Sequence, residues 1–254
     1  MNLKIISRFL SGRFLSGRFK IIFRSLSDLF YPPTCTICGV RTEDKPVCAE
    51  CEKHMELNLK PHCPECGTTI DKDCPIHKEP LFKNYFPVYI FGDNIRELIH
   101  GLKYSNRIDI GEYLGRQLFE KLTPSGIFDG IDGLVPMPLH KVKQRSRGYN
   151  QSEILAMPIS KSTGISIIKK GVKRVRHTES QTKLDHEERK KNVADAFKPM
   201  ASIKDKNVII IDDVITTGAT VNELARAIVS GGGKVRCAIC AAHPETAQSK
   251  EYSI

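Results

Sequence analysis

The spacing of apolar residues predicts alternating strands and helices in the C-terminal two thirds of the chain. Residues 88–91 and 133–136 are short apolar runs of strand length, whereas 94–104, 110–122 and 151–162 carry apolar residues at helical spacing. The core face predicted for the first of these helices consists of Ile95, Leu98, Ile99 and Leu102. The basic stretch between the strand at 133–136 and the helix at 151–162 is expected to be a loop.

Further along, a fully apolar run precedes an acidic turn and another helix. Residues 208–211 suit a central strand covered on both faces, 221–229 have a helical apolar face, and three glycines separate that helix from a returning strand at 234–241. Residues 174–191 lack a sustained apolar period, which predicts a mobile loop with some helical content. This alternation predicts an α/β fold with a mostly parallel sheet flanked by helices.

Composition divides the chain into three predicted regions: a basic tail over 1–30, a cysteine-rich module over 31–80 and the α/β domain over 81–254. The tail repeats the pentad R-F-L-S-G, a period that gives no single apolar stripe on a helix or a strand. A flexible basic tail is the favoured interpretation, and a targeting segment is the alternative because residues 1–27 contain no acid. No stretch approaches the roughly 18 consecutive apolar residues of a membrane-spanning helix, so no transmembrane segment is expected.

The basic surplus and the nine cysteines narrow the classes of function. A formal net charge of +10 favours phosphate-bearing partners such as nucleic acid, anionic lipid or a polyanionic metabolite. Seven of the cysteines fall within residues 35–74, which is typical of metal binding in a reducing compartment rather than of secreted disulfides. We therefore expect a cytoplasmic protein that binds metal.

The cysteine-rich module contains four consecutive pairs with the spacing of metal knuckles, each able to present two ligands from one tight turn. The simplest pairing is sequential, with one zinc ion bound by Cys35, Cys38, Cys48 and Cys51 and the other by Cys63, Cys66, Cys74 and His77. Such closed sites are structural, and His54 and His62 are alternative ligands. Cys237 and Cys240 share the spacing, but positions i and i+3 of a strand face opposite ways, so this pair is interpreted as buried core.

Residues 208–221, V-I-I-I-D-D-V-I-T-T-G-A-T-V, carry the most specific chemical signal. Asp212 and Asp213 follow a buried strand, where open α/β sheets bind ligands, and adjacent carboxylates suit ribose hydroxyls or hydrated Mg²⁺. The threonines and glycine that follow lie where the next helix begins, so N–H groups and hydroxyls converge on a point that favours an anion. Gly218 is expected to let the backbone approach a phosphate closely. The pattern predicts a sugar-phosphate site.

Two other interpretations fit part of this segment. A strand followed by capping residues explains a D-D-x-x-T core taken alone, and the acidic strand end of a nucleotide hydrolase explains the two carboxylates. The hydrolase interpretation requires a G-x-x-x-x-G-K-[ST] loop, which does not occur in this sequence.

The full segment resembles the phosphoribosyl pyrophosphate (PRPP) motif of type I phosphoribosyltransferases. V-P-M-P at 135–138, R-S-R-G-Y-N-Q at 145–151 and L-K-Y at 102–104 resemble ComF-type proteins of this superfamily, as do Gln181 and residues 189–197. The cysteine-rich module resembles the double zinc ribbon at the start of those proteins, although its last ligand is a histidine. The resemblance implies the type I phosphoribosyltransferase fold, in a family linked to bacterial competence and DNA uptake.

The resemblance also implies that the chain binds PRPP and Mg²⁺ and that, as an enzyme, it displaces pyrophosphate from the ribose anomeric carbon by positioning and electrostatics. The implied catalytic residues are Asp212 and Asp213, which hold the ribose and its metal, and Arg145 or Arg147, which balances the pyrophosphate charge. The implied substrate-binding residues are Thr216, Thr217, Gly218, Ala219 and Thr220 for the 5′-phosphate, and Pro136, Met137 and Pro138 for the pyrophosphate. A solvated basic loop is the alternative interpretation of the arginines. The loop at 174–191 would close to exclude water.

A transferase and a non-catalytic protein that senses PRPP or handles single-stranded DNA both fit the sequence, because the binding motif serves both. A pure zinc-dependent adaptor would leave that motif without a role. The net charge and the basic tail also predict weak binding of single-stranded nucleic acid, and the family link predicts competence-machinery proteins as partners.

Overall fold

The computed structural model of the chain describes residues 33–71, 74, 77, 80–176 and 195–244. The chain divides into two units, Met1–Cys48 and Ala49–Ile254. The tail predicted over 1–30 and most of the loop predicted over 174–191 lie outside the described residues. In the part of the chain that is described, no helix has both the length and the apolar character needed to cross a membrane.

Regular elements alternate along the larger unit. In chain order they are α1 (Ala49–Lys53), β1 (Tyr85–Ile90), α2 (Asp93–Tyr104), α3 (Ile108–Leu122), β2 (Gly133–Pro136), α4 (Lys141–Arg147), α5 (Gln151–Thr163), β3 (Val172–Arg174), β4 (Phe197–Pro199), β5 (Asn207–Val214), α6 (Ala219–Ser230) and β6 (Lys234–His243). Two short 3₁₀ turns, Thr123–Ser125 and Ala201–Ile203, complete the described elements. The predicted strands and helices are confirmed, with most boundaries displaced by one to three residues.

A four-stranded parallel sheet in the order β1-β6-β5-β2 forms the centre of the larger unit. Ile210 of β5 lies opposite Val135 of β2 on one side and Ala238 of β6 on the other. The apolar run of β5 therefore occupies a central strand, as its composition predicts. The predicted mostly parallel α/β fold is confirmed.

Helices cover both faces of β5, which explains why its apolar residues are continuous rather than alternating. Val208 and Ile210 pack in one core cluster with Leu224 of α6. Ile209 and Ile211 point to the opposite face, because side chains alternate along a strand, and α5 packs against β5. All four strand residues have no exposed surface.

The same alternation explains the isolated cysteine pair. Cys237 and Cys240 are both buried in β6, and only Cys240 belongs to the core cluster that includes Leu224. The two side chains therefore serve opposite faces of the sheet, and their interpretation as core residues is confirmed.

Two local predictions are wrong. The basic stretch before α5 is not a loop but the short helix α4, because its unbranched lysine, glutamine and arginine side chains favour a helix even without an apolar face. The His140 side chain caps this helix by accepting a hydrogen bond from the Val142 N–H. The loop predicted over 174–191 is wrong at its first residue, because Arg174 belongs to β3, which pairs antiparallel with β4.

Candidate functional site

A cavity of about 270 Å³ opens at the carboxyl end of β5 in the larger unit. Its lining includes most of the predicted site residues: Met137, Arg147, Asp212, Asp213, Thr216, Thr217, Gly218, Ala219 and Thr220. Pro136 ends β2, and Pro138 follows Met137; neither lines the cavity, and neither does the exposed Arg145 of α4. The structure thus distinguishes the two arginines that the sequence left as alternatives.

The two carboxylates at the end of β5 have different partners. Asp212 Oδ1 accepts hydrogen bonds from the Ser152 hydroxyl at 3.2 Å and from the Asp213 N–H at 2.9 Å. Asp213 forms an ion pair with the ammonium group of Lys103, which comes from the last turn of α2. Both carboxylates belong to the strand itself, because β5 continues to Val214.

These partners give the carboxylates opposite pKa shifts. Burial, followed by the negative charge of Asp213, raises the pKa of Asp212 well above its usual value. Burial acts to raise the pKa of Asp213, but the charge and hydrogen bond of the Lys103 ammonium, together with hydrogen bonds from Asp212 and the Val214 N–H, lower that pKa overall. The pair therefore holds one firmly ionised carboxylate beside one that retains a proton more readily.

Residues 216–220, here called the phosphate loop after the group that the sequence predicts they bind, comprise the end of the β5–α6 connection and the first two residues of α6. Gly218 caps the helix with φ of +75°, in the left-handed region that glycine adopts without strain, and its carbonyl accepts from the Asn222 N–H at 2.9 Å. Thr216 and Thr217 line the same cavity, as do Ala219, Thr220 and Val221 of the first turn of α6. The first turn of a helix supplies N–H donors and a favourable dipole for an anion, so this end of the cavity suits a phosphate group.

A second loop, which follows β2, is fixed against the start of α5. The Met137 N–H donates to the Ile211 carbonyl at 2.8 Å, and the Asn150 amide donates to the Met137 carbonyl at 3.0 Å. Asn150 also caps α5, since its side-chain oxygen accepts from the Ser152 N–H at 3.1 Å. One buried asparagine therefore positions both the Met137 backbone and the helix start that presents Ser152 to Asp212.

Basic side chains from three elements line the cavity together with the carboxylates: Lys103, Lys143, Arg147 and Arg174. The Arg147 guanidinium lies 5.5 Å from the centre of the Tyr104 ring. Burial, and then the charges of Arg174 and Arg147, lower the pKa of Lys143. Each of these positive charges disfavours the charged form of its neighbours. A polyanion bound among them offsets this repulsion.

Sequence reasoning missed several of these residues. It assigned none of Lys103, Lys143, Ser152 and Arg174 to the ligand site, although the L-K-Y segment that contains Lys103 contributed to the family resemblance. That segment was the available signal for Lys103. No spacing rule connects Arg174 to the cavity, because β3 reaches it through the tertiary fold.

The cysteine-rich module holds two clusters of four ligands. Cys35, Cys38, Cys48 and Cys51 form one and Cys63, Cys66, Cys74 and His77 the other, and within each cluster the ligand atoms lie within 4.8 Å of one another. This is the grouping that sequential pairing predicts. The alternative ligands His54 and His62 belong to neither cluster.

The distances within the clusters fit tetrahedral zinc. A metal about 2.3 Å from each sulfur and about 2.0 Å from nitrogen separates two sulfurs by about 3.8 Å, and sulfur from nitrogen by about 3.5 Å. The Sγ atoms of Cys66 and Cys74 are 3.8 Å apart, and Cys74 Sγ lies 3.5 Å from His77 Nδ1. In the other cluster, Cys38 Sγ and Cys48 Sγ are 3.7 Å apart. Both donor sets therefore suit a structural zinc ion.

Two family models match parts of the chain. Residues 26–80 match the double zinc ribbon domain, and residues 146–254 match the phosphoribosyl transferase domain. The DNA utilization protein YhgH of Escherichia coli K12 is 31% identical over 202 residues, which cover 78% of this chain and 85% of that protein. Competence protein F of Haemophilus influenzae is 27% identical over 198 residues, covering 76% and 82%. Competence protein ComFC of Bacillus subtilis is 26% identical over 202 residues, covering 74% and 80%.

The first match spans both cysteine clusters, and the second spans β5 and the loop at its carboxyl end. On this evidence the chain belongs to the ComF family, in which a double zinc ribbon is joined to a phosphoribosyltransferase domain.

Proposed function

We propose that the chain binds PRPP with Mg²⁺ and transfers its phosphoribosyl group to a nucleophilic acceptor. The observation that carries the proposal is the placement of three kinds of group around one cavity. The phosphate loop lies at one end, Asp212 and Asp213 lie beside it, and Lys143, Arg147 and Arg174 also line the cavity. PRPP has a matching series of groups, since a phosphate, a ribose and a pyrophosphate follow one another.

The phosphate loop is the proposed site of the 5′-phosphate. The threonine hydroxyls and the N–H groups at the start of α6 are hydrogen-bond donors of the kind that a phosphate accepts. These donors are uncharged, and together with the helix dipole they bind the phosphate without a lysine or an arginine. The basic side chains of the cavity are thereby left for the pyrophosphate.

Asp212 and Asp213 are the proposed ligands of the ribose hydroxyls. Mg²⁺ prefers carboxylate and phosphate oxygens and, when bound, would neutralise charge on the pyrophosphate. Ser152 orients Asp212, and Lys103 keeps Asp213 ionised, so both carboxylates are positioned before a ligand arrives. This preorganisation lowers the free-energy cost of binding.

The basic side chains are the proposed partners of the pyrophosphate. Arg147 presents a planar guanidinium suited to bidentate phosphate binding, and Lys143 supplies a compact charge. In the reaction, the bond from the ribose anomeric carbon to the pyrophosphate oxygen breaks with its electron pair while a bond to the acceptor forms. The acceptor releases its proton, and the departing pyrophosphate retains the electron pair beside these cations.

Pyrophosphate release tests the transfer step. The full chain, with PRPP and Mg²⁺, would be assayed alone and with nucleobases, amines or single-stranded DNA as acceptors. We expect release that depends on the acceptor. Binding of PRPP without acceptor-dependent release would favour a sensor, and the absence of both would contradict the proposal.

A second function, handling of single-stranded DNA without catalysis, is supported by the names of two kinds of relative, a DNA utilization protein and competence proteins. The net charge of +10 is compatible with it. In this setting we propose that the chain works in the cytoplasm with proteins of the competence machinery. Acceptor-independent binding of oligonucleotides would select this function over transfer.

A further inference from the structure

The third knuckle, residues 63–67, supplies two ligands of the second cluster and packs directly on the phosphate loop. The Asn222 side-chain amide, one turn into α6, donates to the Pro64 carbonyl at 2.7 Å. Asn222 is buried, so this bond is shielded from water. The knuckle and the helix that presents the phosphate loop are thus joined at a residue that lies between two predicted zinc ligands, Cys63 and Cys66.

Gly218 shows how closely the two backbones approach. A Cβ atom at this position would lie 1.9 Å from the Pro64 carbonyl oxygen and 2.9 Å from its carbonyl carbon, distances that no side chain could occupy. The sequence suggested that this glycine makes room for a phosphate. The structure gives it an additional role, because the side from which a Cβ would project is filled by the knuckle.

The other end of the knuckle touches the loop as well. A Cβ atom at Gly67 would lie 3.2 Å from the Thr216 carbonyl oxygen and 3.4 Å from the Tyr85 hydroxyl. Gly67 has φ of +74°, and its N–H donates to the Cys63 carbonyl at 2.8 Å, which closes the turn. Glycine is therefore suited to this position both by its backbone conformation and by the close contact with Thr216.

A buried aromatic cluster of His62, Tyr85 and His243 completes the connection. His62 directly precedes Cys63, the first ligand of the second cluster, and its Nδ1 lies 2.9 Å from the Gly67 carbonyl oxygen. Its ring centre lies 5.3 Å from that of Tyr85 and 4.6 Å from that of His243. His243 Nδ1 in turn lies 2.8 Å from the carbonyl oxygen of Ile215, the residue before the phosphate loop. The Gly67 carbonyl only accepts, so His62 donates to it through Nδ1, whereas His243 Nδ1 lies within hydrogen-bond distance of both the Ile215 carbonyl and the Tyr85 hydroxyl, the latter at 2.9 Å.

From these contacts we infer that the third knuckle, residues 63–67, is a structural part of the phosphate site. Zinc bound by Cys63 and Cys66 fixes both ends of the turn and hence the direction of the Pro64 carbonyl. Without the metal, the turn loses this restraint, and the contacts that hold the phosphate loop from behind weaken. Loss of the second zinc therefore loosens the loop, and it lowers affinity for PRPP insofar as the proposed function holds.

Hydrogen exchange of the full chain tests the coupling without any ligand. Cys66→Ser removes a ligand of the second cluster, and Cys38→Ser is the matched control in the first cluster. We expect peptides that cover residues 214–222 to exchange faster in Cys66→Ser and to remain unchanged in Cys38→Ser, with zinc content measured on the same samples. Equal protection of these peptides in Cys66→Ser and wild type would overturn the inference.

A second pair of variants keeps both zinc ions. Asn222→Ala removes the bond to Pro64, whereas Arg226→Ala, on the exposed side of the same helix, leaves it intact. We expect Asn222→Ala to retain its zinc and to bind PRPP with Mg²⁺ about fivefold to tenfold more weakly, the effect of one lost buried hydrogen bond. Affinity equal to that of Arg226→Ala would contradict the coupling. A wild-type chain that shows the exchange effect but no PRPP binding would contradict the proposed function and leave the coupling intact.

Discussion

Lys103 and Asp213 form the ion pair that most affects the electrostatics of the cavity. Both side chains are largely shielded, with 26% and 12% of their surface exposed. Removing one partner of such a pair leaves a charge without compensation, which costs more than removing both. Asp213 therefore contributes to stability as well as to the proposed ligand site, because its carboxylate balances the charge of Lys103.

A double-mutant cycle measures this pair. We expect Asp213→Asn and Lys103→Met each to lower the free energy of unfolding, and the combined variant to lose roughly 1 to 3 kcal/mol less than the sum of the two. Urea denaturation gives the four values. The pair between Lys169 and Glu153, with side-chain exposures of 50% and 23%, is the control, for which a coupling of about 0 to 1 kcal/mol is expected. Equal coupling in both cycles would show that burial does not strengthen the Lys103 pair.

Asp212 offers a cleaner test of ligand binding. Burial already favours its protonated form, so Asp212→Asn is a neutral replacement of similar shape and should leave the fold intact. Wild-type protein with PRPP and Mg²⁺ at 100 times the dissociation constant should gain about 2.7 kcal/mol of stability. We expect thermal denaturation to show this gain in wild type and in Asp109→Asn, a change in an exposed ion pair, but not in Asp212→Asn. A full gain in Asp212→Asn would remove the central ligand assignment.

The pKa of His243 predicts how the free energy of unfolding depends on pH. Burial lowers its pKa to about 4 from the ordinary 6.5, so the unfolded chain binds the proton more readily than the folded chain. Stability from this residue is therefore complete above about pH 6.5 and falls as the pH decreases towards 4. We expect a loss of about 2 kcal/mol between pH 7.5 and pH 5.

Comparison with His243→Gln isolates this contribution. The zinc sites and the carboxylates are common to both proteins, so their own pH dependence cancels in the difference. Urea denaturation at the two pH values should show a smaller loss in the variant by about 2 kcal/mol. The same loss in both proteins would mean that the buried imidazole does not titrate in this range.

At the scale of elements, the two cysteine clusters predict a defined metal content. Elemental analysis of purified protein should find two zinc ions per chain, because each cluster has four ligands at distances that suit tetrahedral zinc. Cys38→Ser should lose one ion and retain most of the other. A content of one in wild type would restrict zinc to a single cluster, and no zinc would contradict the interpretation of the cysteines.

The elements that sequence predicts best are those with a strong apolar pattern. β5 and α6 are anticipated because an unbroken apolar run and a regular helical face are local properties. The short helix α4 is missed because none of its seven residues is buried and they carry no apolar period. Periodicity detects the burial of one face, so an element without a buried face escapes it.

The candidate site, too, is only partly predictable from sequence. The phosphate loop and both carboxylates are contiguous in sequence, so their shared chemistry is visible before any fold is known. Lys103, Arg174 and the Asn222 bond to Pro64 depend on elements that meet only in the folded chain, and no spacing rule connects them. The knuckle behind the loop was beyond prediction for this reason, since Pro64 and Asn222 are 158 residues apart.

At the scale of the whole molecule, neither the cavity nor the zinc clusters fully explain the net positive charge. The chain carries 39 basic and 29 acidic side chains, and four of the basic ones line the cavity. Residues 1–27 add six cationic side chains and no acidic one. A small polyanion bound in the cavity would account for the four basic side chains that line it but not for the six in residues 1–27.

This surplus leads to the prediction that the chain binds single-stranded nucleic acid weakly and with little sequence preference. Bound phosphates release counterions, so affinity should fall with salt at a log–log slope of about −0.7 for each phosphate contacted. Fluorescence anisotropy of labelled oligonucleotides across a salt series measures the slope, and deletion of residues 1–27 should flatten it. Saturating PRPP with Mg²⁺ should leave most of the binding in place if the oligonucleotide contacts charges outside the cavity. Complete competition by PRPP would assign the binding to the cavity instead, and no binding at low salt would mean that the surplus charge serves the small ligand alone.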